Sequence, residues 1–236
     1  MTEICKIPDH IAFILDGNRR WAKKRSLPIA LGHKKGAETL MDVVKGASEL
    51  GLKYMTIYAF STENWKRSEE EVSALMGLLR QYLDEGLAKI AENNVKIIFI
   101  GERDMLAEDI RAKMQKIEKE SSKNNKLTLC VALSYGSRQE IVSAVKKVAG
   151  LIKNSDIEIK DIDADLFSDM LYTSGIPDPD LLIRTSGEQR ISNYLLWQLA
   201  YTEFYFTDTL WPDFNIEELK KIIENFNSRE RRYGKN

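Results

Sequence analysis

Short apolar runs alternate along the chain with longer stretches in which apolar residues return every three or four positions. The runs cover residues 11–15, 54–59, 95–100, 127–134, 181–183 and 204–206. Each has the length of a strand. Between them, Leu40, Val43, Val44, Ala47 and Leu50 form one helical stripe, ended by Gly51. Val72, Leu75, Met76, Leu79, Leu83 and Ile90 form a second and longer one. Leu106, Ile110, Met114 and Ile117 form a third, and Ile141, Val142, Val145, Val148 and Ile152 a fourth. Ser68 followed by Glu71 reads as a capping box, as does Asn215 followed by Glu218 ahead of Leu219, Ile222, Ile223 and Phe226. Strands separated by helices imply right-handed crossovers. The expectation is α/β: a single domain over 1–236, with a central, mainly parallel β-sheet flanked by helices on both faces. In such sheets ligands sit beyond the carboxyl ends of the strands.

Composition removes several function classes. The chain has 236 residues, with 35 Lys+Arg against 36 Asp+Glu and a formal charge of −1. That balance argues against a dedicated nucleic-acid binder. Hydrophobic content of 43% with 30% charged residues excludes wholesale disorder. Two cysteines, Cys5 and Cys130, make no disulfide framework, and with His10 and His33 they make no zinc site of several His or Cys ligands. The longest uncharged run, 191–202, falls well short of the ~20 apolar residues that span a bilayer. The opening MTEICKIPDH has no apolar signal-peptide core. A reducing, cytoplasmic setting is expected.

Chemistry gathers at three strand ends. The first run enters Asp16-Gly17-Asn18-Arg19-Arg20-Trp21 and then Lys23, Lys24 and Arg25. Gly and Asn opening a helix free backbone N–H groups for an anion, and arginines in the first turn fork onto phosphate oxygens. A carboxylate among these cations makes sense where Mg²⁺ bridges it to phosphates. Alternatively, Asp16 and Asn18 cap a helix whose basic residues are solvated. The second run ends in Ser61, Thr62, Glu63, Asn64, Trp65, Lys66 and Arg67. Either they serve a polar ligand beside an apolar one, or they form a structural loop with Trp65 as core filler. The fifth run leads to Arg184, Ser186, Gly187, Arg190, Ile191, Ser192 and Asn193. Glu203 is either a second metal carboxylate or a paired interior acid. Each charge-assisted hydrogen bond is worth ~1.5–3 kcal/mol, so this many arginines exceed the needs of one monophosphate and fit two diphosphates.

Other signals fail on inspection. Gly46 and Gly51 have Walker spacing, but Leu52 stands in the lysine position. Asp161, Asp163 and Asp165 imitate a calcium loop, but Leu166 and Tyr172 stand where glycine and glutamate belong. An acidic helix start is the better reading.

The segments HIAFILDGNRRWAKK, GHKKG, YAFSTENWKR, LIRTSGEQRISNYLLWQLAYTEFYFTDTLWPDF and RERRYG resemble the cis-prenyltransferase family, and among its members the bacterial undecaprenyl diphosphate synthases. The likeness runs from Pro8 to Gly234 with motif order and spacing kept. It implies an enzyme adding isopentenyl diphosphate, in cis, to an allylic diphosphate such as farnesyl diphosphate, making a lipid carrier for cell-wall polymers. By the same resemblance Asp16 is the essential carboxylate and, with Glu203, holds Mg²⁺. Gly17, Asn18, Arg19 and Arg20 grip the allylic diphosphate, helped by His33, and Trp21 belongs to the substrate-binding set. Asn64 assists proton removal within Ser61, Thr62 and Glu63, flanked by Trp65 and Arg67. Arg184, Arg190 and Ser192 form the isopentenyl diphosphate site, and Ile191 belongs to the substrate-binding set. The resemblance further implies a homodimer, an apolar tunnel for the growing chain, and peripheral membrane contact through the greasy product.

Three departures bear on specificity. Ile29 stands where the family has an arginine, and losing one diphosphate fork costs ~1.5–3 kcal/mol, about 10- to 100-fold. Arg19, where many relatives have glycine, is the candidate replacement. Ser68 stands at a common proline, and Ser134 and Ser137 where Asn and Gly are frequent. A shorter-chain paralogue with another starter is the runner-up. A non-catalytic, prenyl-diphosphate-binding partner subunit is a third reading, opposed by the retention of Asp16, Asn64, Arg184, Arg190, Ser192 and Glu203. The basic tail of Arg229, Arg231 and Arg232 is either solvated or reaches a neighbouring subunit.

Overall fold

A computed structural model describes residues 6–229; Cys5, Arg231 and Arg232 lie outside the described residues. Six strands form one sheet in the order β3-β4-β2-β1-β5-β6, with every pairing parallel. They are β1 (His10–Ile14), β2 (Tyr54–Ser61), β3 (Val95–Ile100), β4 (Leu127–Tyr135), β5 (Leu181–Arg184) and β6 (Glu203–Phe206). The helices are α1 (Asn18–Lys24), α2 (Ile29–Leu50), α3 (Glu69–Gln81), α4 (Leu87–Glu92), α5 (Glu108–Ser121), α6 (Ser137–Lys153), α7 (Ala164–Asp169) and α8 (Ile216–Asn227). The expected α/β sandwich is therefore present, and all strand carboxyl ends meet along one edge.

The central strands are apolar on both faces because helices or packed loops cover both. Ile11 and Phe13 join a large core with Val43, Val44, Leu129, Val131, Leu219 and Ile222. Ala12 and Ile14 face the other way, into a smaller cluster with Cys130, Ala132, Tyr194, Leu195 and Leu199. Small side chains on that face let the uncharged segment 191–202 lie close against the sheet, folded as consecutive turns.

Local signals explain most boundaries. Gly51 ends α2 in the left-handed conformation, with φ 92°. Ser68, Asp163 and Asn215 each accept a backbone N–H three residues on, at 3.3, 2.8 and 3.0 Å, and so begin α3, α7 and α8. The boxes are half used, however: Glu71 pairs with arginines and Glu218 accepts from Thr207. The second stripe is interrupted by a π-helical turn, Tyr82–Gly86, which returns Leu83, Leu87 and Ile90 to the core. The fourth stripe needs correction. α6 buries Ser137, Glu140, Ala144 and Val148, while Val142 and Val145 are more than half exposed.

Candidate active site

Asp16 is fixed before its side chain is considered. Its N–H donates to Ile14, and its carbonyl accepts from Trp211 N–H at 3.0 Å and from the Thr185 hydroxyl at 2.6 Å. Its Oδ1 accepts from Gly17 N–H at 2.7 Å. Its Oδ2 accepts from Arg184 at 2.9 Å, with Arg20 at 3.2 Å. Burial alone would raise its pKa. The Arg184 bond and charge, the Arg20 charge and the Gly17 N–H outweigh that, and hold the carboxyl below its ordinary value. Gly17 has φ 112°, and a Cβ there would sit 3.0 Å from the Leu210 backbone, so the chain can enter α1 only through glycine. Neither Asp16 nor Asn18 caps α1, which removes the helix-capping alternative. Asn18 donates to Leu15 O at 3.2 Å, and its buried Oδ1 has no partner. That oxygen faces α2, where a Cβ on Gly36 would come within 2.1 Å of it.

The end of β5 supplies the second group of cations. Arg184 is buried and donates to Asp16, to the Ser192 hydroxyl at 2.9 Å and to the Arg190 carbonyl. Arg20 reaches the Ser186 carbonyl at 2.9 Å, and Glu188 pairs with both Arg20 and Arg190. Ser186, Ser192, Asn193 and Leu195 all have positive φ, from 47° to 81°. Such conformations cost about 1–3 kcal/mol each and cluster where a surrounding site dictates them.

At the end of β2, Asn64 Oδ1 accepts from Ser61 N–H at 3.0 Å and braces the 3-10 turn Thr62–Lys66. Glu71 on α3 binds Arg67 at 2.9 Å and Arg19 at 3.1 Å, linking α1, α3 and this turn. His33 lies among them with a buried, unpartnered Nε2. Burial, then the Arg67 and Arg19 charges, push its pKa below the usual value against the pull of Glu71, so the ring is neutral at pH 7.

These groups open onto one cavity of about 640 Å³, within the usual range for small-molecule sites. Its wall carries Asp16, Gly17, Asn18, Arg19, Arg20, His33, Ser61, Asn64, Arg67, Arg184, Arg190 and Ser192. Farther in it is apolar, lined by Leu40, Met41, Leu75, Leu78, Leu79, Leu87, Val131 and Leu133. The polar mouth suits phosphate oxygens and the throat suits hydrocarbon. Among the described residues Asp16 is the acid on this wall, and no cluster of three or more His, Cys, Asp or Glu is placed to hold a metal.

Several expected residues lie off the wall. Trp21 turns outward, its Nε1 donating to Asp213 at 2.6 Å beneath Arg25. Trp65 donates to the Ser134 hydroxyl at 2.9 Å and packs edge-on against Phe60, so the core-filler alternative holds for it. Thr62 bonds Glu63, Glu63 accepts from Asn193 at 2.9 Å, and Ile191 packs on the smaller core. Glu203 is the clear correction. It opens β6, aligned with Leu181 and hence with Ile11, whereas Asp16 follows the far end of β1. Three strand residues separate the two ends, at least about 10 Å, and Glu203 pairs with Arg229 at 2.9 Å. The chain does not bring Glu203 to Asp16. Its place at the head of a strand was the signal. The residues missed from sequence were Glu71 and Glu188, which hold the arginines, and the throat leucines, indistinguishable from core by pattern. Ile29 is half-buried at the start of α2 and off the wall, one turn before His33. Ser134 adopts φ 50°, a conformation that Asn also favours.

The family model for prenyltransferases described as undecaprenyl diphosphate synthase matches residues 14–234. An isoprenyl transferase of Aquifex pyrophilus is 51% identical over 98% of this chain and 97% of its own. The structure of lavandulyl diphosphate synthase from Lavandula x intermedia, in complex with dimethylallyl diphosphate, superposes with a TM-score of 0.94. It is 36% identical, over 97% of this chain and 98% of that one. A probable undecaprenyl diphosphate synthase from Campylobacter jejuni superposes at 0.81 with 33% identity, over 98% of this chain and all of that one.

Proposed function

Since the chain belongs to the undecaprenyl diphosphate synthase family of prenyltransferases, we propose that it condenses isopentenyl diphosphate, in cis, onto farnesyl diphosphate to build a long polyprenyl diphosphate of the undecaprenyl type for cell-wall assembly. The observation that supports this most is that one cavity combines an arginine-rich mouth with a hydrocarbon throat.

The reaction asks little covalent work of the protein. The allylic carbon–oxygen bond breaks, the diphosphate keeps the electron pair, and the isopentenyl double bond attacks the allylic cation. A proton is then lost to a weak acceptor. Arg20 faces the departing diphosphate, with Asn18 beside it on the cavity wall, while Arg184, Arg190 and Ser192 hold the diphosphate of the five-carbon donor. Fixed cations and N–H groups that need no reorganisation favour the charge that develops on the leaving group. Asn64, oriented by Ser61, stands where proton removal is assisted. His33, whose buried Nε2 has no partner in the chain, contributes a hydrogen bond. The throat excludes water from the cation.

One carboxylate at the mouth, Asp16, fits Mg²⁺ that would arrive with a diphosphate, since that cation is commonly bound through one or two carboxylates. When bound, the cation neutralises charge on the leaving diphosphate. Asp16 would hold it, without Glu203 of the same chain.

The active form in this reading is a cytoplasmic homodimer. Val142 and Val145, one turn apart on α6, stand more than half exposed and would be covered in such a dimer. Val142→Glu should shift the sedimentation coefficient to that of a monomer; an unchanged dimer removes this face. The corner between α1 and α2, where Leu27 and Leu31 stand exposed beside Lys23, Lys24 and Lys34, suits contact with a membrane surface during product release.

Purified protein with Mg²⁺, labelled isopentenyl diphosphate and ten-, fifteen- or twenty-carbon starters tests the proposal by product length. A ladder near 55 carbons is expected. Products of 15–30 carbons would instead establish a short-chain enzyme. Binding without turnover for every starter would overturn both.

A further inference from the structure

Asn193 uses its side chain and its carbonyl to hold three segments together. Its Nδ2 donates to Glu63 Oε1 at 2.9 Å and to Gln139 Oε1 at 3.1 Å. Its Oδ1 accepts from Arg138 N–H at 2.9 Å, and its carbonyl accepts from Ser137 N–H at 2.8 Å. Glu63 belongs to the turn after β2 that carries Asn64. Ser137, Arg138 and Gln139 open α6 after β4. Asn193 itself follows Arg190 and Ser192 after β5. Each bond therefore crosses between loops at different strand ends.

The packing around this residue is as tight as the bonding. A Cβ on Gly136 would fall 2.7 Å from Asn193 Nδ2 and 2.6 Å from the Thr62 hydroxyl, so the loops meet at a glycine. The Asn193 backbone has φ 61°, next to Ser192 at φ 51°. Asparagine tolerates that conformation, and its short amide offers both donors and an acceptor. Tyr58 adds a hydroxyl bond to the Ser192 carbonyl at 3.3 Å on the same seam.

We propose that Asn193 is a positioning residue that clamps the loop of Arg190 and Ser192 to the turn of Asn64, so that the five-carbon diphosphate is held in register with the centre where the new bond forms. This rests on the prenyl-transfer reading of the site. Asn193 lies off the cavity wall and acts through its neighbours.

Asn193→Ala and Asn193→Gly both remove the side-chain bonds, including the one to Glu63, and leave the carbonyl bond to Ser137; the second also removes backbone strain as an explanation. Both should raise the KM for isopentenyl diphosphate about tenfold and leave the KM for the allylic starter within about twofold. Asn193→Asp keeps the acceptor for Arg138 but sets a carboxylate against Glu63, and should lose more. Adding Glu63→Gln reverses donor and acceptor across the same contact. The double variant should recover about tenfold over Asn193→Asp, measured against Glu63→Gln alone. Kinetics within about twofold of wild type for Asn193→Ala, or a double variant no better than Asn193→Asp, would overturn the clamp. Hydrogen exchange supplies a readout without substrate: the amides of residues 61–66 should exchange about tenfold faster in Asn193→Ala. Unchanged exchange overturns the clamp whatever the chain catalyses. Faster exchange in a protein whose wild type transfers no prenyl group supports the clamp and condemns the functional reading alone.

Discussion

Two carboxylates sit at strand ends on this sheet's edge, and their surroundings drive them apart. Asp16 is part-exposed at the cavity mouth and faces two guanidinium groups, which keep it ionised. Glu140 at the start of α6 is fully buried on the opposite face. Its partners are neutral: the Tyr135 hydroxyl at 2.5 Å, Tyr172 N–H at 2.9 Å and Gln198 Nε2 at 3.2 Å. Burial, the dominant influence, lifts its pKa above the ordinary value despite those bonds and the weaker pull of the Lys147 charge. The contrast teaches where chemistry can occur. A charge kept by cations beside an open pocket is available to a ligand, whereas an acid enclosed by neutral donors is a piece of framework. Both are strand-end acids, and environment alone assigns their roles.

The strongest way to break the comparison is Asp16→Asn, which keeps the size and the Gly17 bond but removes the charge. Turnover should fall by about 10³-fold or more, with the circular dichroism spectrum unchanged. Retained activity would mean that the mouth works through arginines alone. Glu140→Gln is the counterpart and should leave kcat/KM within about threefold. The buried Gln198 Oε1 has no partner, so that amide can turn to receive a new donor. The two acids also carry opposite pH signatures in stability. The depressed pKa of Asp16 adds stability above its unfolded value, lost as pH falls through the folded one. The raised pKa of Glu140 gives stability that is complete below the unfolded value and is lost as pH rises through the folded one. Glu140→Gln lacks that loss. Its melting temperature should therefore gain on wild type between pH 4 and pH 8, by about 3–5 °C per unit that the folded value lies above the ordinary one. A difference that stays flat with pH would show Glu140 ionised within the fold.

Much of this was legible before the structure. All six strands were visible as apolar runs; the four central ones are covered on both faces and leave little polar alternation, while β3 and β6 at the edges are short runs rich in β-branched or aromatic residues. Asp16, Arg184 and Asn64, which the structure brings to one cavity wall, stand out in the sequence because they follow such runs. What stayed hidden depends on tertiary approach. The first two turns of α2 contain Gly32 and Gly36, poor helix formers that are present because α1 lies against them; a Cβ on Gly32 would come 2.2 Å from the Asn18 carbonyl. Trp21 and Trp65 belong to the right segments but point away from the cavity, and side-chain direction is not written in a motif. The fourth stripe misled because α6 is apolar on more than its buried side. Glu203 misled because it was placed by resemblance, when parallel register assigns a strand's first residue to the edge opposite the site.

The finest adjustment to the charged corner is Ile29→Arg, which would bring another cation toward Asp16 and the arginines. From sequence alone the missing fork was worth 10- to 100-fold, but the geometry reduces it. Ile29 is off the cavity wall, and Arg19, the candidate replacement, is already held by Glu71 at 3.1 Å. A guanidinium at position 29 would reach the mouth from the solvent side, beside His33 one turn on, where an exposed charge pair is worth about 0.2–1 kcal/mol. The KM for the allylic starter should fall about two- to fivefold, with the KM for isopentenyl diphosphate unchanged. Raising the ionic strength should erase the gain, because a part-exposed pair is screened. A gain that survives high salt would place position 29 in direct contact with the starter, and no gain at all would show that the cations around Asp16 already suffice.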